Sequence, residues 1–508
     1  MRFPSQQPPL DLLIIGGGIV GAGIARDAAM RGLRVALVEQ HDFAFGTSSR
    51  SSRLLHGGLR YLAQGRVGLV REASIEKKVI HHIAPHLAEP LPFIFPVYRG
   101  NRDWRLWQLK IGVKVYDLLC GGRNLGKSSW LSAGETTAKV TGLRDAALNG
   151  AVRYYDGFTN DARLVIDTLR SAAKGGAMVL NYCRFEDAEK QQDLWQCRVQ
   201  DLLEKKALTV SARVVVNATG PWADGLSHSR VKLRLTKGVH LVVDRNRVPV
   251  PETVVMTEGK RILFAIPWGE RTILGTTDTD YDGSVDEVRS DRTDFEYVLR
   301  IANYFFPNAS LGLKDVISSW AGLRPLVADP NGNPSEISRS HEIDNPEPGW
   351  WDVSGGKLTT YRLMAEQTVD KVVAELEKLQ RSEGLQKLQE FLACRTSQEE
   401  LLPESETKGI SAIVPVQPDR RVVEHFCQKE WAIHLDDVML RRSGWHYYRR
   451  DASELARRVA DWMGELLGWS KEQQGEEIAA YQGILGAATG ANGIASSGPK
   501  GAPIESHA

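Results

Sequence analysis

Cysteine is scarce in this chain of 508 residues: five in all, with no C-x-x-C pair. That excludes a disulfide framework and the usual structural zinc site, and it fits a reducing compartment. No long hydrophobic run is present. The longest apolar stretch, Leu12 to Ala25, is broken by glycines and bounded by Asp11 and Arg26, too short to span a bilayer. The first ten residues carry no apolar signal core. Charge of one sign is lacking too. The formal net charge is +1, so no global field draws in nucleic acid, and no nucleic-acid partner is expected. At this length, two or three domains are expected.

The chain opens on a pattern of punctuated apolar segments. Leu12 to Ile15 reads as a buried parallel strand, followed at once by Gly16-Gly-Gly18-Ile-Val-Gly21. Residues 22–31 read as a helix, and Val35 to Val38 as a second strand ending in Glu39. This is a βαβ unit built for a dinucleotide. Gly16 permits the turn, Gly18 admits a pyrophosphate, and Gly21 lets helix and strand pack. The helix N-terminus offers N–H groups to phosphate, and Glu39 offers a carboxylate to ribose hydroxyls.

Which dinucleotide follows from three distant segments. Gly46-Thr47-Ser48-Ser49-Arg-Ser-Ser52 is a hydroxyl-rich loop suited to a pyrophosphate and the ring beyond it. A second glycine turn, Ala218-Thr-Gly220, follows the strand-like run Arg213 to Asn217. A third, Gly355-Gly356-Lys357-Leu358-Thr359, leads into a helix to about residue 381. An extended cofactor touched by all three suits FAD better than NAD. Residues 66–83 and 161–174 read as helices, and 239–243, 261–266 and 272–275 as strands. Pro85, Pro90, Pro92 and Pro96 are expected to break the chain around Phe93-Ile-Phe95.

These blocks resemble a known family. Gly16-Gly-Gly-Ile-Val-Gly21, Arg50-Ser-Ser-Arg-Leu-Leu-His56-Gly-Gly-Leu-Arg60-Tyr61-Leu, Asn217-Ala-Thr-Gly-Pro-Trp222, Lys237-Gly-Val-His240, Gly275-Thr-Thr-Asp278, Ala321-Gly-Leu-Arg324-Pro-Leu and Gly355-Gly-Lys357-Leu-Thr-Thr-Tyr-Arg362 look like the FAD-dependent (aerobic) sn-glycerol-3-phosphate dehydrogenases. The C-terminal Glu430-Trp-Ala and Leu435-Asp-Asp-Val-Met-Leu-Arg441-Arg442 match too, so the resemblance covers about residues 10–470.

The resemblance implies an α/β fold of the glutathione-reductase and D-amino-acid-oxidase type. A Rossmann-like FAD-binding domain (about 10–85, 155–225 and 320–385) is interleaved with a β-rich substrate domain (about 86–154 and 226–319). An all-α domain follows over 386–485, and 486–508 reads as a Gly/Ala/Ser-rich disordered tail. Cofactor contacts are expected at Gly16, Gly18, Gly21, Glu39, Thr47, Ser48, Ser49, Ser52, Gly220, Gly356, Lys357, Leu358 and Thr359. The implied reaction is oxidation of sn-glycerol 3-phosphate to dihydroxyacetone phosphate, with electrons passed to quinone. The implied setting is a homodimer in the cytoplasm, at the inner face of the cell membrane.

The residues can support that chemistry. A phosphorylated polyol needs arginines able to bind phosphate oxygens bidentately. By resemblance, Arg60, Tyr61, Arg324 and Arg339 hold phosphate and hydroxyls, with Lys357 beside the flavin or substrate. Oxidising the carbinol needs a base. His56 and His240 both qualify, and the sequence does not choose between them. Arg324 can stabilise the developing alkoxide. Residues 441–469 mix arginines with Trp445, Tyr447, Tyr448, Trp462, Leu466, Leu467 and Trp469, a composition that suits either a membrane interface or an amphipathic helix packed on its neighbours. An oxygen-dependent flavin oxidase of glycerol 3-phosphate or of an amino or hydroxy acid, and a flavin-binding sensor without turnover, are the competing readings.

Overall fold

A computed structural model of the chain describes residues 8–59, 62, 65–101, 103–120, 124–327, 341–382 and 391–488. Arg60, Tyr61, Arg339 and the tail from residue 489 onward lie outside the described residues. Residues 486–488 end the helix Lys471–Ala488.

Two sheets organise the described residues. In the first, Leu10–Ile15 pairs in parallel with Val35–Val38 on one side and Lys206–Asn217 on the other. Met178–Leu180 and Trp350–Gly355 continue the sheet outward, again in parallel. Every residue of Leu10–Ile15 and Val35–Val38 is buried, as expected for strands covered on both faces. The helix Ile19–Met30 returns across the sheet and packs between the helices Asp161–Lys174 and Tyr361–Ser382. A meander of Cys183–Gln191 and Leu194–Asp201 hangs on the edge of Lys206–Asn217.

The second sheet is largely antiparallel and has ten strands. Its centre runs through Leu233–Asp244, Arg271–Gly275, Arg261–Trp268, Thr253–Glu258, Glu89–Tyr98 and Leu148–Phe158. Val316–Val327 pairs with Leu233–Asp244 along most of its length. Residues 320–327, given to the cofactor part on sequence, therefore sit in the second sheet. Residues 148–158 span the expected border at 154–155 as one continuous strand of that sheet. The helix Arg292–Phe305, opened by a reciprocal Asp291–Asp294 capping box, closes one face over Leu241, Val254 and Leu263.

The proline-rich stretch is not a break. Glu89–Tyr98 is a ten-residue strand that pairs along its full length with Leu148–Phe158. Pro90, Pro92 and Pro96 share one parity, so their missing N–H groups fall on a single edge. The neighbour on the other side, Thr253–Glu258, pairs with the strand only at Phe93 and Ile94, so few ladder bonds are forfeited.

The C-terminal part holds its own core of Val423, Phe426, Leu435, Met439, Trp445, Leu455, Val459 and Met463. Trp445 and Tyr447 of the basic-aromatic segment are buried, and Trp462, Leu466 and Trp469 pack against that core. Of the two readings of 441–469, the packed amphipathic segment is the one realised. Arg441 and Arg442 are spent in buried ion pairs with Asp42, whereas Arg450, Arg457 and Arg458 stand exposed.

Candidate active site

The nucleotide turn is built as its glycines require. Gly16 has φ of +109°, and a Cβ there would stand 2.6 Å from the Ala218 carbonyl oxygen. At Gly21 a Cβ would stand 2.0 Å from the Gly16 carbonyl oxygen, so strand end and helix start touch through glycine alone. The Ser48 hydroxyl accepts a hydrogen bond from the Ile19 N–H at 3.0 Å, tying the hydroxyl-rich loop to the helix N-terminus. Gly18, Ile19, Glu39, Thr47, Ser48, Gly220, Gly356 and Lys357 all line one crevice of about 330 Å³. The Glu39 carboxylate accepts from the Gly17 N–H at 2.7 Å and the His41 N–H at 2.9 Å. Burial pushes it above the ordinary carboxylate range, while those two donors pull the other way. Thr47 donates to the Leu323 carbonyl at 2.6 Å, and Ser49 is buried in the same short turn.

A second cavity, of about 520 Å³, shares Ile19, Thr47, Ser48, Pro325, Gly356, Lys357 and Leu358 with the first, so the two form one bent cleft. It is lined by Ser52, His56, His240, Arg324, Lys357 and Thr359 together. Segments more than 250 residues apart thus converge where the nucleotide crevice ends. Thr359 accepts the His56 N–H at 3.0 Å through its hydroxyl, which fixes the His56 loop to the glycine turn.

His240 Nε2 lies 2.7 Å from the Ser52 hydroxyl, and its ring stacks on Trp320 with centroids 5.2 Å apart. Its Nδ1 is buried without a partner. Burial first, then the cations of Arg324 and Arg53, push the imidazole down to about 3, so it is neutral throughout the physiological range. The Arg324 guanidinium donates to Asp278 at 3.2 Å, to the Thr276 hydroxyl at 3.0 Å and to the Thr277 carbonyl at 3.2 Å. It lies flat against Gly238, where a Cβ would stand 2.4 Å from Nη2. That close approach accounts for glycine between Lys237 and Val239. Lys237 itself is engaged elsewhere, with Asp291 and Asp294 at 2.7 and 2.6 Å.

Sequence reasoning missed Arg50, Lys260, Arg261, Thr276 and Asp278, which line the same cavity, and its apolar lobe of Leu59, Phe93, Phe95, Trp104, Tyr154 and Phe264. The Gly275-Thr-Thr-Asp278 block was the available signal for two of them. Nothing in the local sequence marks the lobe, because its members read as ordinary core residues.

A glycine-lined crevice with the Glu39 carboxylate on its wall and a second glycine limb, opening on a cavity of histidine and arginine, defines an FAD-dependent oxidoreductase. The family model described as "FAD dependent oxidoreductase" matches residues 11–370, and that described as "C-terminal domain of alpha-glycerophosphate oxidase" matches 418–474. The aerobic glycerol-3-phosphate dehydrogenase of Staphylococcus aureus (strain USA300) is 41% identical over 377 residues, 72% of this chain and 68% of that protein. A solved glycerol-3-phosphate dehydrogenase from Bacillus halodurans, complexed with FAD, superposes with a TM-score of 0.71 at 29% identity, covering 95% of this chain and 96% of that one. Glycine oxidase from Geobacillus kaustophilus, at 21% identity and a TM-score of 0.57, covers 72% of this chain and 95% of its own and shares the fold. The chain belongs to the FAD-dependent oxidoreductase family and, within it, to the aerobic glycerol-3-phosphate dehydrogenases.

Proposed function

We propose that this chain oxidises sn-glycerol 3-phosphate to dihydroxyacetone phosphate and passes the electrons to a quinone. The observation that carries the reading is the bent cleft, whose nucleotide limb ends where His56, His240, Arg324 and Lys357 meet. Bound FAD supplies the hydride acceptor. Arg324 and Lys357 supply the positive charge a phosphate requires, and Arg60, Tyr61 and Arg339 join them by family resemblance. A neutral histidine accepts the hydroxyl proton as the carbinol hydrogen leaves as hydride. Arg324 steadies the oxygen as its charge grows. His240 is the better placed base: it is buried, neutral and beside Arg324. The quinone acceptor and the peripheral place at the inner face of the membrane rest on the family resemblance; among the described residues no helix is long and apolar enough to cross a bilayer. The homodimer rests on the resemblance alone.

A second reading has one observation behind it: the C-terminal family model bears the description of an oxidase. Anaerobic addition of glycerol 3-phosphate to the flavin-loaded protein decides on substrate, and bleaching of the flavin absorbance is expected. Failure to bleach in protein that dithionite does reduce would sink the proposal. In air, stoichiometric peroxide would replace quinone by oxygen.

A further inference from the structure

Beside the catalytic cavity lies a buried charged cluster that the reaction as described does not use. Lys77, on the helix Val67–Ile83, is wholly buried. Its ammonium donates to the Asp156 carboxylate at 2.8 Å, to the Asn124 side-chain oxygen at 2.9 Å and to the Tyr155 carbonyl at 3.1 Å. Tyr116, on the helix Leu106–Leu119, is buried too and donates its phenolic proton to the same Asp156 oxygen. Burial first, then Asp156, push that phenol well above its usual range, so it keeps the proton. A buried ion pair gains little stability over apolar residues of the same shape, so stability alone does not account for the cluster.

Its acceptors converge on one backbone group. The Gly57 N–H donates to the Tyr116 hydroxyl at 3.0 Å and to the Asp156 carboxylate at 3.3 Å. A Cβ on residue 57 would stand 2.3 Å from that hydroxyl and 2.7 Å from Ser74 Oγ, so only glycine lets the backbone come this close. The preceding amide, that of His56, donates to the Thr359 hydroxyl. Two successive N–H groups of one loop are thus held by different elements, one by the glycine turn and one by the cluster. Just upstream, Leu54 and Leu55 pair with Phe158 and Gly157, next to Asp156 on the same strand. His56, Gly58 and Leu59 all line the catalytic cavity. Tyr116 and Lys77 do not, so any effect of theirs on the cavity passes through the loop and Asp156.

We propose that Tyr116 and Asp156, held in place by Lys77, are positioning residues for the reaction: by fixing the Gly57 N–H they set where the His56–Leu59 wall stands against the glycine turn at Lys357–Thr359. The proposal rests on the reading of this cavity as the glycerol 3-phosphate site. A wall held at two consecutive amides is preorganised, and a misplacement of about 1 Å in such a wall can slow the chemistry by about 10²-fold.

Two variants of the flavin-loaded full chain separate positioning from mere bracing. Y116F removes the nearer acceptor of the Gly57 N–H and leaves the Lys77–Asp156 pair in place. D156N keeps an oxygen for Gly57 and Tyr116 but takes the anion from the buried ammonium. Each is measured for anaerobic flavin reduction at saturating glycerol 3-phosphate, for its denaturant midpoint, and, without substrate, for hydrogen exchange in the peptide spanning residues 54–59. Y116F is expected to reduce about tenfold more slowly, to exchange faster in that peptide but not along Leu148–Phe158, and to keep a midpoint near the parent's. D156N is expected to lose more stability and less rate. Parent-like reduction by Y116F overturns the proposal. So do rates that follow the midpoints in both variants, which makes the cluster a brace for the fold. Should D156N fail to fold, the rate and exchange of Y116F decide. A parent whose flavin is reduced by dithionite but not by glycerol 3-phosphate strikes the substrate reading alone. The exchange of residues 54–59 then still tests the clamp, and parent-like exchange in Y116F overturns it.

Discussion

His240 concentrates what residue-level reasoning could and could not reach. Lys237-Gly-Val-His240 was visible as a block, yet the reason for its glycine lies 86 positions away, in the guanidinium of Arg324 resting on that backbone. Likewise the imidazole's neutrality is set first by burial, then by Arg324 and Arg53, none of which its neighbours in sequence announce. Substrate phosphate beside Arg324 would offset that cationic field and raise the ring's proton affinity when it is needed. Substituting His240 by Asn is expected to slow anaerobic flavin reduction about 10²–10⁴-fold, the range for loss of a general base, with substrate affinity little changed. His56→Asn is expected to stay within about tenfold. Stopped-flow reduction of both variants checks this, and the opposite ranking moves the proton transfer to His56. Since the free ring sits at about 3, kcat/KM should show no acid limb from this group between about pH 5 and 7.

Elements with a strong period or strong punctuation were legible; elements defined by their partners were not. Residues 161–174 form the helix Asp161–Lys174, with Asn160 accepting from the Arg163 N–H as its cap. The strand Glu89–Tyr98 was hidden because proline is a breaker locally, and its edge parity matters only once Leu148–Phe158 lies beside it. The segment 441–469 was ambiguous because arginine beside tryptophan looks the same on a surface as in a buried ion-pair network. Near it, one clamp between elements carries a pH signature. His434 Nδ1 lies 2.6 Å from Glu477 on the helix Lys471–Ala488, and the same carboxylate accepts the Leu435 N–H at 2.9 Å. Glu477 first, then Asp437 outweighing partial burial, hold His434 up at about 9. A raised folded value means the stabilisation is complete below the unfolded value of about 6.5 and fades as pH rises through about 9. The pair is part-exposed, so its worth is about 1 kcal/mol at most. Denaturant midpoints taken across pH 6 to 10 should fall for the parent and stay flatter for H434Q. Parallel profiles would show that the pair carries no pH-dependent stability.

At the scale of the whole molecule, the C-terminal part is joined to the nucleotide crevice by charge that no local pattern forecasts. Asp42, three residues beyond Glu39, is buried and accepts hydrogen bonds from both Arg441 and Arg442, 399 and 400 positions away. Arg441 also reaches Asp436 and Asp437, and its guanidinium stands 5.9 Å over the Phe45 ring. Phe45 stacks on His41, and both line the crevice on the side of Glu39. Burial alone would raise Asp42. Arg442 and Arg441 overcome it and hold the carboxyl down at about 2. A depressed carboxyl stabilises fully above its unfolded value, about 3.9, and the contribution is lost as pH falls through about 2. Asp42→Asn keeps the shape but leaves two buried guanidinium groups without their shared anion. Breaking such a buried network costs about 3–5 kcal/mol. Because the loop Glu39–Phe45 carries both the crevice-lining carboxylate of Glu39 and the ring under Arg441, the same change should loosen the flavin. Released FAD, measured by the rise in its fluorescence on dilution, should therefore appear at lower denaturant than the loss of helical signal does in D42N itself, whereas in the parent the two coincide. A variant that unfolds early but keeps its flavin until unfolding would mean that the network holds the two parts together without shaping the cofactor site.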